Sequence, residues 1–127
     1  MAGELILIVE DNEKNLKLVR DVLQYRGYQT IEAGTGEEGV RLAKERHPDL
    51  VLMDIQLPGI DGITALGQLR ADASTRLIPV IAVTASAMTH DRKKIMAAGF
   101  DGYQSKPIKV KEFMDAVRET LDRRGPR

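Results

Sequence analysis

The chain has no cysteine among its 127 residues. Disulfides are excluded, and thiolate metal sites with them. Neither sign of charge is in excess: 19 lysines and arginines balance 19 aspartates and glutamates. That balance gives no polybasic surface, so neither direct nucleic-acid binding nor a membrane-surface role is expected. The opening Met1-Ala2-Gly3-Glu4 lacks a basic start, and the apolar run behind it is too short for a signal core or a bilayer span. A cytoplasmic location without membrane insertion is the expectation. No linker, repeat or low-complexity stretch divides the sequence, whose length suits one domain with a real core. No G-x-x-x-x-G-K-[ST] motif is present, which argues against a P-loop nucleotidase.

What the chain does have is acid placed at the ends of apolar runs. Leu5-Ile6-Leu7-Ile8-Val9 ends directly in Glu10-Asp11, and Leu50-Val51-Leu52-Met53 ends directly in Asp54. Further on, Ile78-Pro79-Val80-Ile81-Ala82-Val83 ends in Thr84, and Gly102-Tyr103-Gln104-Ser105 ends in Lys106-Pro107. Parallel α/β sheets place their ligand sites at the C-terminal ends of strands. Three carboxylates meeting there need a cation, and a hard, oxygen-seeking divalent ion such as Mg²⁺ suits them. Acid pair, acid, hydroxyl and amine, in that order, form a set that can hold a phosphoryl group on a metal.

Between these runs the sequence reads as helix. Asp11 or Asn12 can cap a helix from about Glu13 to Arg26, stopped by Gly27. Tyr28 to Ala33 reads as the second strand. Thr35 can cap a helix to about Arg46, before His47-Pro48. The third helix starts near Asp61-Gly62 and reaches about Ala71. The fourth spans roughly Met88 to Ala98, closed by Gly99, and the last runs from about Val110 to Arg123. Five βα units predict a doubly wound parallel sheet with helices on both faces. The core is expected over about residues 5–121, with a flexible, solvated basic tail at 123–127.

Two helices carry more detail. In the last, Val110, Phe113, Met114, Val117 and Leu121 form one core stripe. In the first, Leu16, Val19 and Leu23 make a core stripe, while Asn15, Leu18 and Val22 fall on a second face. Two readings of that second face stand: a docking surface beside the acidic cleft, or a broad core face under a neighbouring helix.

With these motifs in this order, the chain resembles the receiver domain of two-component signalling, the response-regulator module. The resemblance covers nearly everything from Leu5 to Leu121 and rests on Glu10-Asp11-Asn12, Asp54-Ile55-Gln56-Leu57-Pro58, Thr84 and Lys106-Pro107. It implies the flavodoxin-like strand order 2-1-3-4-5 with five helices. It also implies roles. Asp54 resembles the phosphoacceptor, and Glu10, Asp11 and Asp54 with the backbone carbonyl of Gln56 resemble the Mg²⁺ ligands. Lys106 and Thr84 would contact phosphoryl oxygens, as would the backbone amides of Ile55 and Ala85. Tyr103 resembles the aromatic that turns with Thr84; without the family it reads as an amphipathic ring with its hydroxyl at the surface. The Lys106-Pro107 bond is expected to be cis. Asn15, Leu18, Val22 and Pro107 would meet partners: a sensor histidine kinase or histidine phosphotransfer protein, and a downstream protein target.

The implied function is a single-domain response regulator. It is a signalling phosphoacceptor rather than a metabolic enzyme, and it catalyses its own phosphorylation and dephosphorylation. A receiver-like module that works without phosphorylation and a receiver excised from a longer regulator or hybrid kinase are the alternatives. Gln56 stands two residues after Asp54, where phosphatases of the haloacid dehalogenase type need a second Asp. Gln56 and Ser86 occupy positions that would steer an attacking water. Asp61-Gly62 reads as turn and cap, Asp49 and Asp101 as surface or turn, and His47 and His90 as surface.

One motif points elsewhere. Gly34-Thr35-Gly36-Glu37-Glu38-Gly39 matches G-x-G-x-x-G between a strand and a helix. Two glutamates in the first helical turn would repel a pyrophosphate, and Asp54 lies nearer than the ribose-binding acid should. Thr35 is expected as a cap and Gly36 as turn geometry. Gly39, where the family usually has alanine, should cost about 1 kcal/mol against alanine.

Overall fold

A computed structural model describes residues 3–85 and 89–123, with only the backbone of 89–91. Ser86, the expected helix start at Met88, the side chain of His90 and the tail 124–127 lie outside the described residues. The chain alternates β1 (Leu5–Val9), α1 (Glu13–Tyr25), β2 (Gln29–Ala33), α2 (Gly36–Arg46), β3 (Leu50–Asp54), α3 (Gly62–Ala71), β4 (Val80–Thr84), α4 (Thr89–Ala97), β5 (Gly102–Ser105) and α5 (Val110–Arg123). The five strands form one sheet in the order β2-β1-β3-β4-β5, and every adjacent pair is parallel. The expected architecture is the observed one.

Local chemistry sets the boundaries. The Asn12 side chain accepts hydrogen bonds from the Lys14 and Asn15 amides, the Thr35 hydroxyl from Glu38, and the Asp61 carboxylate from Thr64. Each satisfies amide groups that the first helical turn leaves open. Helix α1 ends before Gly27 at φ 90°, and α2 ends at His47, a left-handed residue at φ 48°.

Strand residues alternate between the two faces of the sheet. Leu7, Val9, Val51, Met53, Val80 and Ala82 pack with residues of α2, α3 and α4. Ile6, Ile8, Leu50, Leu52, Ile81 and Val83 pack with residues of α1 and α5. The central strands are buried on both faces, which is why they read as unbroken apolar runs.

The α5 stripe differs from expectation at one end. Phe113, Met114, Val117 and Leu121 are buried, but Val110 is 43% exposed, because the helix meets the core only one turn after its start. At the other end Arg123 belongs to the helix, and its guanidinium donates to the Asp101 carbonyl oxygen at 3.3 Å. Among the described residues no helix is long and apolar enough to cross a membrane.

Candidate functional site

Adjacent strands bring the predicted acids together. β1 and β3 pair in register, so their ends lie side by side. The Glu10 amide still donates to Ala33 in β2, which draws the side chain inward, and Glu10 is only 5% exposed. Asp54, the last residue of β3, is equally buried. Asp11 stands exposed at the rim. One carboxylate oxygen from each of Glu10, Asp11 and Asp54 lies within 4.8 Å of the others.

Lys106 enters from the neighbouring strands. Its amide donates to the Thr84 carbonyl oxygen at 2.8 Å, extending the β4–β5 ladder by one step. The following bond to Pro107 is cis, as expected. From there the ammonium reaches Glu10 Oε1 at 2.7 Å and Asp54 Oδ2 at 3.1 Å. The remaining oxygens are held by the backbone: the Asn12 amide donates to Glu10 Oε2 and the Gln56 amide to Asp54 Oδ1.

The electrostatics follow from crowding. Two buried carboxylates, Glu10 and Asp54, share one ammonium, and the exposed Asp11 carboxylate lies close beside them. Burial pushes the Glu10 carboxyl above its ordinary value; the Lys106 hydrogen bond works against that, and the Asp54 charge adds to it. For Lys106, burial works downward, but the Glu10 hydrogen bond and the Asp54 charge outweigh it and hold the amine above its ordinary range. Such a site attracts a cation, and its donors are all hard oxygens. Glu10 and Asp54 are held by backbone amides and Asp11 opens to water. That combination suits Mg²⁺, which keeps several waters and takes few protein ligands.

Thr84, buried at the end of β4, sits opposite Ser105 in the ladder. Tyr103 is half-buried against the core on the α4 side, with the Arg92 guanidinium 5.4 Å from its ring centroid. Ala85 follows Thr84 and is exposed, as are Gln56 and Pro107. The Ile55 amide departs from expectation. It donates to the Val83 carbonyl oxygen and continues the ladder, so Gln56 supplies the amide that meets Asp54. The second face of α1 is split: Val22 packs against the core, Asn15 is half-buried, and Leu18 is 40% exposed.

Two contributors were not legible as site residues. The Gln56 amide is one. Gly62 is the other: a Cβ there would lie 2.4 Å from the Asp54 carbonyl oxygen, while its amide donates to Ile55. The pair Asp61-Gly62 did signal a cap, but nothing in its spacing showed that the helix start packs on the backbone of Asp54.

The sequence and fold have known counterparts. The model of the response regulator receiver domain matches residues 6–118. The chain is 48% identical over 116 residues to the polar-differentiation response regulator DivK of Brucella ovis, spanning 91% of this chain and 94% of that one. Among solved structures it is similar to the receiver domain of a sensor histidine kinase from Pseudomonas aeruginosa, with TM-score 0.88 and 35% identity over 94% of this chain and 98% of that one. That domain holds a magnesium ion in its active-site cleft. A CheY-like receiver domain protein from Methanospirillum hungatei matches with TM-score 0.87 and 28% identity, over 96% of each chain. A shared sheet order, and sequence likeness that runs through the acid cluster to the last helix, make this chain a member of the response regulator receiver domain family.

Proposed function

We propose that Asp54 accepts a phosphoryl group from a phosphohistidine protein. The observation that carries this reading is the Lys106 ammonium, which bridges Glu10 and Asp54 inside a cluster of three carboxylates. An Asp54 carboxylate oxygen forms the new O–P bond, the P–N bond to the donor imidazole breaks, and the imidazole leaves and takes up a proton. Phosphoryl transfer asks for positioning and charge neutralisation more than for covalent help. Glu10, Asp11, Asp54 and the Gln56 backbone carbonyl would hold Mg²⁺, which supplies charge neutralisation on the phosphoryl oxygens when bound. The magnesium in the similar Pseudomonas domain supports this assignment.

Lys106 already touches the acceptor carboxylate, so it can follow the charge onto a phosphoryl oxygen without leaving the site. Thr84 would donate its hydroxyl, and the Gln56 and Ala85 amides would donate from the two loop sides. Movement of Thr84 lets Tyr103 turn, which reshapes the α4–β5–α5 face and changes the protein contacts made there. Kinase or phosphotransfer partners would dock over Asn15, Leu18, Val22 and Pro107 beside the cleft, in the cytoplasm. One folded unit over residues 5–123 would carry the whole chemistry. Hydrolysis of the acyl phosphate by water, assisted by the same residues, would end the signal. The protein is thus a signalling phosphoacceptor that assists its own reactions.

Intact mass after incubation with acetyl phosphate and Mg²⁺ tests this. A single phosphoryl adduct that disappears in Asp54→Ala and without metal is expected. Folded protein that forms no adduct, or an adduct that survives Asp54→Ala, would overturn the assignment.

A further inference from the structure

The G-x-G-x-x-G segment plays no part in the phosphoryl chemistry above, yet its residues are tightly committed. A Cβ on Gly36 would lie 2.7 Å from both the side chain and the carbonyl oxygen of Ile60, so Gly36 serves close packing where turn geometry was expected. Helix α2 therefore begins directly on the loop that follows β3. The Glu37 carboxylate accepts a hydrogen bond from the Ile60 amide at 3.4 Å. Its two oxygens also lie 2.5 and 2.6 Å from where a Cβ on Gly59 would sit, and Gly59 is left-handed at φ 76°. Glu37 is exposed, so this contact serves no core burial.

The loop in question leads out of the acceptor residue. It starts at Asp54 and Ile55, carries Gln56, and closes where the Gly62 amide meets the Ile55 carbonyl oxygen at 2.9 Å. That closure ties its two ends to each other, and Glu37 grips its far bend from another element. We infer that Glu37 is a positioning residue: by holding Gly59 and Ile60 it fixes the loop that presents Gln56 to the metal and to Asp54. This rests on the reading in which the Gln56 carbonyl helps hold Mg²⁺. The simpler role for an acid in a first helical turn is to complement the helix dipole. The two roles separate in Glu37→Gln, which loses the charge and keeps an acceptor for the Ile60 amide.

The test is calorimetric Mg²⁺ titration of the parent, Glu37→Ala and Glu37→Gln, with amide hydrogen exchange at Ile60 in metal-free protein. Outer-shell partners of metal ligands commonly matter tenfold or more, and this one acts through the backbone, so Glu37→Ala should weaken Mg²⁺ binding about threefold or more. Ile60 exchange should accelerate in the same variant. Glu37→Gln should stay within about twofold of the parent on both readouts, since the acceptor is retained. Parental Mg²⁺ affinity in Glu37→Ala overturns the inference, even if stability falls. So does Glu37→Gln binding as weakly as Glu37→Ala, which would make the effect one of charge. A parent that binds no Mg²⁺ and forms no adduct overturns the phosphoacceptor reading itself, and this inference with it.

Discussion

Both ends of the sheet carry carboxylates, but they are treated differently. At the N-terminal end each acid has its own donors. Asp49 accepts from the Leu5 amide at 2.8 Å, and Asp101 from the Val80 amide at 2.8 Å and Arg70 at 2.9 Å. Glu4 pairs with Arg118 at 2.9 Å, although its second oxygen is buried with no hydrogen bond among the described residues. At the C-terminal end Glu10, Asp11 and Asp54 crowd together, and one lysine bridges Glu10 and Asp54. Where donors match acids, a carboxylate fastens the start of a strand. Where acids outnumber donors, the uncompensated negative charge favours a cation.

Removing an acid should therefore have opposite effects at the two ends. Asp101→Ala leaves the Val80 amide without its acceptor and removes one of several acceptors of Arg70, and should cost about 1–3 kcal/mol. Asp11→Asn removes a crowded charge that stands exposed at the rim. Two like charges about 4 Å apart cost about 1 kcal/mol even in water, so metal-free Asp11→Asn should be more stable by up to about that amount. Urea unfolding of both variants in chelator measures the two. Equal signs would break the comparison.

A cation should supply what the lysine lacks. Mg²⁺ at about ten times its dissociation constant should stabilise the parent by about 1.4 kcal/mol, and Asp11→Asn much less. Thermal melts with and without metal read this directly; an equal gain in both proteins would place the ion elsewhere.

Acidity should sharpen the contrast. Burial raises the Glu10 carboxyl above its ordinary 4.5 in the folded state, so the folded chain binds that proton more tightly than the unfolded one. Its contribution to stability is full below 4.5 and is lost as pH rises through the higher folded value. Asp72, between α3 and β4 at the opposite end, is lowered chiefly by the Ser74 hydroxyl and amide. Its contribution is present above 3.8 and is lost as pH falls through the lower folded value. In metal-free protein, Glu10→Gln should flatten the decline in stability as pH rises above 4.5. An unchanged slope would remove Glu10 as its source.

The contrast also explains what was legible. Strands β1, β3 and β4 are apolar runs because both faces are buried, so their ends, and the acids there, could be read directly. Caps at Thr35 and Asp61 were readable because the partner amide is three residues away. Asp49 and Asp101 read as surface residues because their partners lie 44 and 21 residues off, joined only when strands align. Glu37 was hidden for the same reason, with its partner 23 residues on. The bond from the Ile55 amide to the Val83 carbonyl oxygen was not readable, because a strand's last hydrogen bond depends on the length of its neighbour.

The smallest effect concerns two glycines that look alike in sequence, each inside a helix. Around Gly67 in α3 a Cβ would meet nothing within 4 Å, so Gly67→Ala should stabilise by about 1 kcal/mol through backbone entropy alone. The same cost was expected of Gly39. A Cβ there, however, would lie 2.7 Å from Val9 Cγ2, and Val9 is a fully packed, β-branched residue of a central strand. Overpacking typically costs about 1–3 kcal/mol, which cancels or exceeds the entropic gain, so Gly39→Ala should be neutral or destabilising. Val9 directly precedes Glu10, so any shift it makes is passed to the acid cluster. Chemical denaturation of the two variants, with Mg²⁺ titration of Gly39→Ala, checks both halves. If Gly39→Ala gained as much as Gly67→Ala and bound Mg²⁺ like the parent, the packing between α2 and β1 would be looser than the structure has it. The reactive end of the sheet would then owe its geometry to the strands alone.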